Sequence, residues 1–281
     1  RRGKDPHVED LSPDTNGAST GGYNMKWRRS DPIPKSAIVW RGRSAFDNKP
    51  IVAIATGMHG NGRNPKTGKT MAQLWILRSD MNPLHALETG SDSSICNGCG
   101  HRADPAADRK NTCYVAVGRA PQRVWKSFHA NSYPTMRPAD VAVHLASRGM
   151  SIRLGAYGDP AALPMRVLAD ITHGVPHTGY THSWRGRPYL SPWLMASVDS
   201  TDELDDARAQ GWRTFRVRTP DAVLETNEIA CPASVESGKR TTCDHCTLCD
   251  GARPDDLRRS IAIMAHGSGA SSFIALHSLT A

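Results

Sequence analysis

Seven cysteines carry the most visible chemistry in this sequence, and they fall in two groups: Cys96, Cys99 and Cys113, then Cys231, Cys243, Cys246 and Cys249. The second group reads Cys, eleven residues of which the first is Pro, then C-x2-C-x2-C. Three thiolates at three-residue intervals on one tight loop can wrap three corners of a cuboidal iron–sulfur cluster, and a remote Cys followed by Pro can supply the fourth. These are the parts of a bacterial ferredoxin site, with the Cys-Pro member placed before the triplet. Structural zinc prefers two C-x2-C knuckles that give two ligands each. The division here is one plus three, which favours a [4Fe–4S] cluster and keeps zinc as the alternative. The first group, C-x2-C-x13-C, offers only three thiolates. Around a four-iron cube that leaves one iron open to a substrate or cofactor, whereas zinc would recruit His101 to complete a Cys3His tetrahedron. An odd cysteine count without an export signal argues for reduced, metal-binding thiols in the cytoplasm and against a disulfide framework.

Other side chains gain meaning from their placement. In GAYGDP, Gly158 and Asp159 follow an expected strand. Gly158 would let a ligand approach the backbone, and Asp159 would accept hydrogen bonds from an amine or a ribose hydroxyl, so both are candidate cofactor-binding residues. The same Gly-Asp-Pro tripeptide is also a good helix-capping turn. Tyr180, His182 and Trp184 in GYTHSW leave polar ends at the same mouth, with His182 itself read as structural or solvent-facing. The stretch GMHGNGRNPKTGKT imitates a phosphate-binding P-loop, but Arg63 stands where the first glycine of that motif belongs. It reads instead as a glycine-rich hairpin loop.

The elements that must position these residues follow from pattern. Two short β-rich runs at 36–57 and a third at 72–78 open the fold. Helices are expected at 119–130 and at 137–149, where Pro138 suits a first turn and Gly149 a stop. A rhythm then begins: strand 151–157, helix 160–174, strands 177–183 and 193–199, helix 201–211 with Thr201 as cap and Gly211 as stop, and strand 212–218. A short strand in NEIACPA and another at 260–267 complete it. Strands at intervals of roughly 20 residues, with helices or loops between, indicate parallel β/α units whose ligand loops lie at the carboxyl ends of the strands. The expected fold class is α/β, a full or partial β/α (TIM-like) barrel with cysteine-rich metal-binding loops. An open doubly wound sheet is the second architecture.

The chain has 281 residues, 38% apolar and 22% charged, enough for a buried core and too apolar for a disordered tail. Residues 1–35 read as a mobile basic lead-in and 36–281 as a single β/α domain. No run approaches the roughly 18 apolar residues of a spanning helix, so no membrane partner is expected. The net charge is +8, and Arg1, Arg2, Lys4, Lys26, Arg28, Arg29, Arg41 and Arg43 gather near the N-terminus as an arm that could touch nucleic-acid phosphates.

The chain also resembles a phage-encoded family called the gene 88 product, whose members look like degenerate relatives of radical S-adenosylmethionine (AdoMet) enzymes. The resemblance rests on Cys113-Tyr114 closing the first cysteine group, on IRLGAYGDP, GYTHSW and MASVDS in that order, and on the terminal CP…CxxCxxC. It implies a barrel-like β/α fold in the cytoplasm of an infected bacterium. By position, Cys96, Cys99 and Cys113 would correspond to the cluster that chelates AdoMet, and Gly158-Asp159 to the motif that holds the methionine amine. The four C-terminal cysteines would match an auxiliary cluster. Radical enzymes typically carry C-x3-C-x2-C on one loop, whereas thirteen residues separate Cys99 from Cys113 here. Two functions of different class follow: a radical AdoMet-like iron–sulfur enzyme acting on an unknown substrate, or a metal-stabilised nucleic-acid-binding protein without catalysis. Aromatic residues, at 6%, are sparse for the base-stacking platforms of the second. A cluster protein serving only electron transfer or structure is a third.

Overall fold

The computed structural model describes residues 25–62, 64–103, 111–267 and 269–278, the side chains of 276–278 excepted. The chain enters with three strands, β1 (Ser36–Arg43), β2 (Pro50–Thr56) and β3 (Met71–Arg78). Both neighbouring pairs are antiparallel, so these strands form a meander and not β/α units. The reason lies in the links: neither holds a helix to carry the chain back across the sheet, as a parallel pair requires. β2 is buried along Ile51–Ala55, which makes this meander the floor of the main core.

Helices α1 (Pro83–Glu88), α2 (Ser93–Cys96), α3 (Ala120–His129) and α4 (Pro138–Ser147) lead from β3 to β4 (Ser151–Tyr157), which pairs parallel to β3. On α4 the residues Val141, Ala142 and Leu145 are spaced along one face and buried, while Val143 stays exposed. This helix packs against α5 (Met165–Thr172) and against β1 and β4.

β5 (His177–Thr178) and β6 (Tyr180–Thr181) are one extended run broken at Gly179. The break is a packing demand: a Cβ there would lie 2.6 Å from Leu194 Cδ2 and 3.1 Å from Leu154 Cβ. β5 closes the first five-stranded sheet, β1-β2-β3-β4-β5. β6 opens the second, which continues through β7 (Met195–Val198), β8 (Thr214–Arg218) and β10 (Ser260–Met264) to β9 (Glu228–Ala230), every pair parallel. The fold is therefore a mixed α/β structure in which two sheets meet at one glycine. α6 (Thr201–Ala209) joins β7 to β8; its cap is Ser200, whose Oγ accepts from the Glu203 amide at 3.2 Å, one residue before the expected Thr201. Two further helices, α7 (Cys243–Cys246) and α8 (Ala270–Ser278), like α1 and α2, have no counterpart in the sequence reading.

Residues 25–35, expected as the end of the lead-in, are tied to the fold. The Trp27 amide donates to Thr135 O at 3.0 Å, the Thr135 amide to Met25 O at 2.9 Å, and Trp27 and Ile33 pack on the core. Of the proposed basic arm, Arg1, Arg2 and Lys4 lie outside the described residues. Arg29 pairs with Asp140 at 3.2 Å, Arg41 sits 4.7 Å over the Phe128 ring, and Arg43 donates to Asn48 O. Among the described residues no helix is long and apolar enough to cross a membrane.

Candidate metal centres around one cavity

The first cysteine group follows α1 and α2. Arg102 reaches back under it, donating to Asp92 Oδ1 at 2.5 Å, Gly90 O at 2.8 Å and Asn97 O at 2.9 Å, which fixes the start of the loop. The amides of Thr112 and Cys113 both donate to His101 O, at 3.1 and 3.2 Å. The thirteen-residue interval is thus an excursion closed at its base, although residues 104–110 lie outside the described residues. Closure places Cys113 beside the turn in which the Cys99 amide donates to Cys96 O at 3.1 Å. The group is tied to the sheet as well, because the Asp159 amide donates to Ile95 O at 2.6 Å.

Three polar side chains border these thiols. His101 Nε2 lies 3.2 Å from Asp199 Oδ1 and His182 Nε2 lies 3.7 Å from Asp199 Oδ2, while His101 Nδ1 is 2.9 Å from Thr112 Oγ1. The two rings stand edge to face at 5.3 Å, and His182 also reaches Cys99. Hydrogen bonds and charge from both histidines overcome burial and hold Asp199 well below the usual carboxylate range. His182, read from sequence as structural or solvent-facing, is a wall of the cavity. Trp184, expected at the same mouth, points into the core and donates from Nε1 to Ser197 O at 3.1 Å.

Gly158 and Asp159 sit at the carboxyl end of β4, beside the first group, as expected for a site at strand ends. Their local roles are those of a turn. Gly158 has φ +82°, and a Cβ there would lie 2.7 Å from Ile76 O, so its glycine answers to β3. The Asp159 carboxylate accepts from the Ala161 amide at 2.9 Å, Thr181 Oγ1 at 2.9 Å and the His182 amide at 3.1 Å, joining the ends of β4 and β6. Burial raises its pKa against those bonds.

The second group is assembled from three places. The Cys231 amide donates to Ala262 O at 2.8 Å, just past β9, and Cys249 O accepts from the Gly179 amide at 2.9 Å, at the seam of the sheets. Cys243 and Cys246 lie on α7, whose first amides donate to Lys66 O at 2.9 Å and Thr67 O at 3.1 Å. Asp244 Oδ2 accepts in turn from the Thr70 amide at 3.0 Å and Thr70 Oγ1 at 2.7 Å. The stretch that imitates a P-loop joins antiparallel β2 and β3 and serves as the clamp of α7. Arginines on and beside β8 brace the remaining loops: Arg213 donates to Leu248 O, Gly251 O and Arg259 O at 2.8–2.9 Å, and Arg218 pairs with Glu236 at 2.6 Å. Cys231, Cys243, Cys246 and Cys249 border one void of about 30 Å³, and Tyr180 bonds Cys249 across it.

Both groups also border a larger cavity of about 440 Å³, into which alternate residues of neighbouring strands point: Arg153, Gly155 and Tyr157 from β4, Phe215 and Val217 from β8, Ile263 from β10. Cys96, Cys99 and Cys113 line it together with Cys243. All seven cysteines are free. Burial pushes the Cys113 thiol up to about 11 and Cys96 well above its ordinary value. It also raises Cys231, Cys243 and Cys249, with the Lys66 ammonium opposing it at Cys231 and Cys243. A metal must therefore displace protons to bind these sulfurs. Among the described residues, His101, His182 and Asp199 are the group of three ligand atoms gathered within 4.8 Å; the sulfurs of neither cysteine group draw together so closely. Tetrahedral zinc, with bonds of about 2.3 Å, needs sulfurs only about 3.8 Å apart.

Sequence reasoning placed the cysteines but missed Asp199, Lys66, Arg153 and Arg213. Asp199 stood in view within MASVDS; the others look like ordinary surface charge until the fold turns them inward. Comparison with protein-family models, with curated proteins and with solved structures finds no match to this chain.

Proposed function

We propose that the chain is a two-cluster iron–sulfur protein acting as a radical AdoMet-like enzyme, built on a partial β/α barrel whose parallel strands surround the active cavity. One observation carries this reading: two cysteine groups, far apart in sequence, border one cavity lined by alternate residues of neighbouring strands. The donor sets fit. Cys96, Cys99 and Cys113 would hold a cluster with one open iron facing the cavity, and Cys231, Cys243, Cys246 and Cys249 a closed auxiliary one. When bound, such an open cluster supplies one-electron reducing power to a sulfonium cofactor.

The chain's own residues supply the setting. The closed base of the 99–113 loop sets the three thiolates as one face. Asp199 orients His101 and His182 beside them, in the way outer hydrogen bonds orient groups around a metal. Asp159 acts by position, locking the strand ends that form the wall. Phe215, Val217, Ile263 and Phe273 keep the cavity apolar and exclude water.

Anaerobic purification tests the reading. Brown protein absorbing near about 400 nm with about eight iron atoms per chain supports it, and colourless protein holding zinc overturns it. With iron present, release of 5′-deoxyadenosine from AdoMet after reduction supports the enzymatic half. No release overturns that half and leaves a cluster protein.

A further inference from the structure

The cavity carries a charge pattern that the cysteines do not explain. Arg153 enters it from β4 with its Nε buried and without a hydrogen-bond partner; its Nη2 bonds Tyr114 Oη. Lys66 enters from the clamp loop, its Nζ 2.9 Å from His266 Nε2. The Tyr114 and His266 rings stack at 6.3 Å, so one aromatic pair gathers both cations at one end of the space. Among the described residues neither Arg153 nor Lys66 stands in a salt bridge, and burial together with the Arg153 charge lowers the pKa of Lys66. The carboxylate nearest this end, Glu236, is spent on Arg218 and the Met264 amide. At the other end the Tyr157 hydroxyl is buried without a partner, beside Cys96 and Cys113. Between them run Phe215, Val217 and Ile263. Arg153 and Tyr157 lie four residues apart on one strand, at most about 13 Å.

A guanidinium with a free Nε–H offers the planar fork that a carboxylate fills with two parallel hydrogen bonds. Two neighbouring cations without a counter-ion, at the end of an apolar slot with a lone hydroxyl donor opposite, describe a site for an amphipathic anion. We propose that the cavity binds a small organic carboxylate, its head between Arg153 and Lys66 and its apolar body along Phe215, Val217 and Ile263. That body then points toward Tyr157 and the first cysteine group. The carboxylate site stands on the cavity alone; only the assignment of the bound anion as substrate rests on the enzymatic reading above. A rival role for the two cations is to offset thiolate charge at Cys231 and Cys243.

The test uses the anaerobically reconstituted full chain, its iron content measured first, with benzoate and its neutral counterpart benzamide as probes in titration calorimetry. Benzoate is expected to bind at least about tenfold more tightly than benzamide, because an unpaired buried cation rejects the neutral head. Arg153→Gln should erase that preference, Arg153→Lys should keep part of it, and Lys66→Met should weaken benzoate without needing Arg153 to be altered. Equal binding of the two probes, or no binding, overturns the proposal. So does an Arg153→Gln chain that changes iron content or its paramagnetic resonance while binding benzoate as before, since the cation then serves the thiolates. Protein without iron that still prefers benzoate defeats the two-cluster reading and leaves the carboxylate site standing.

Discussion

The two cysteine groups solve the same problem, gathering thiols, by opposite means. The second is a vault pieced together from distant segments, with Cys243 opening onto the large cavity. Its four cysteines arrive from β9, α7 and the seam at Gly179, and every approach is braced by arginine or by the clamp loop. The first is a ledge on one loop, three thiols with a histidine–aspartate–histidine array in place of a fourth sulfur, open to the large cavity. The second group is held by the fold around it and the first by its own loop. On the reading proposed above, the first is the reactive one.

Removing one thiol from each end tests the contrast most severely. Cys243→Ala is expected to lose about four iron atoms and to lower unfolding free energy by about 3 kcal/mol or more, because metal binding at an assembled site is folding energy. Cys113→Ala should lose a similar amount of iron with a much smaller loss of stability. Iron analysis with denaturant unfolding under nitrogen checks both; equal destabilisation by the two variants would dissolve the distinction between vault and ledge.

The bracing can be struck without touching sulfur. Arg216 and Glu228 form a buried pair at 2.6 Å, with side chains 5% and 0% exposed, linking β8 to β9 just before Cys231. Arg216→Met leaves a buried carboxylate alone and should cost about 3–5 kcal/mol. The double variant Arg216→Met, Glu228→Leu should recover most of that, since an apolar pair of similar size needs no desolvation. Urea midpoints of the three chains decide it, and a double variant as unstable as the single one would show that this pair does more than balance charge.

A third strike falls on the ledge. Gly158→Ala places a Cβ 2.7 Å from Ile76 O at φ +82°, a cost of about 1–3 kcal/mol. The neighbouring Asp159 amide holds Ile95 O, so the shift should reach α2 and reduce iron at the first group while the second keeps its own. Paramagnetic resonance of the reduced chain separates the two signals. Undiminished signal from both groups would break the link between the β4 turn and the ledge.

Most of the skeleton was legible in the sequence because its signals are local. The strand at 151–157 and the helix at 137–149 announce themselves by the alternation of Ile152, Leu154 and Ala156, an early Pro and a closing Gly, and β4 and α4 lie there. What escaped depends on contacts between distant residues. Nothing in PKTGKT says that its carbonyls will receive the amides of Cys243 and Asp244, more than a hundred residues away. The antiparallel sense of β2 and β3 was legible, because pairing sense belongs to the connection and the link between them reads as a hairpin loop. Ser200 and Thr201 are both good caps, and only the geometry chooses between them. The thirteen-residue gap looks like a departure from a tight cluster loop until the two amides on His101 O close it.

The mildest test uses pH. His177, the first residue of β5, is half-buried, and desolvation lowers its pKa below the ordinary 6.5; the Val175 and Trp193 backbones and Asp250 oppose this more weakly. Asp250 belongs to the braced loop after Cys249, so this ring faces the vault side. The unfolded chain takes up the proton near 6.5 and the folded chain only at lower pH. The folded state therefore binds fewer protons in that window, and stability falls as pH drops through 6.5 toward the depressed value. One proton accounts for at most about 1.4 kcal/mol per pH unit. His177→Gln should flatten the decline of the urea midpoint between about pH 7.5 and 5.5 by up to that slope. Iron at the first group should follow the same pH course in both chains, and a course that changes with His177→Gln would mean that the two ends are mechanically coupled through the seam at Gly179.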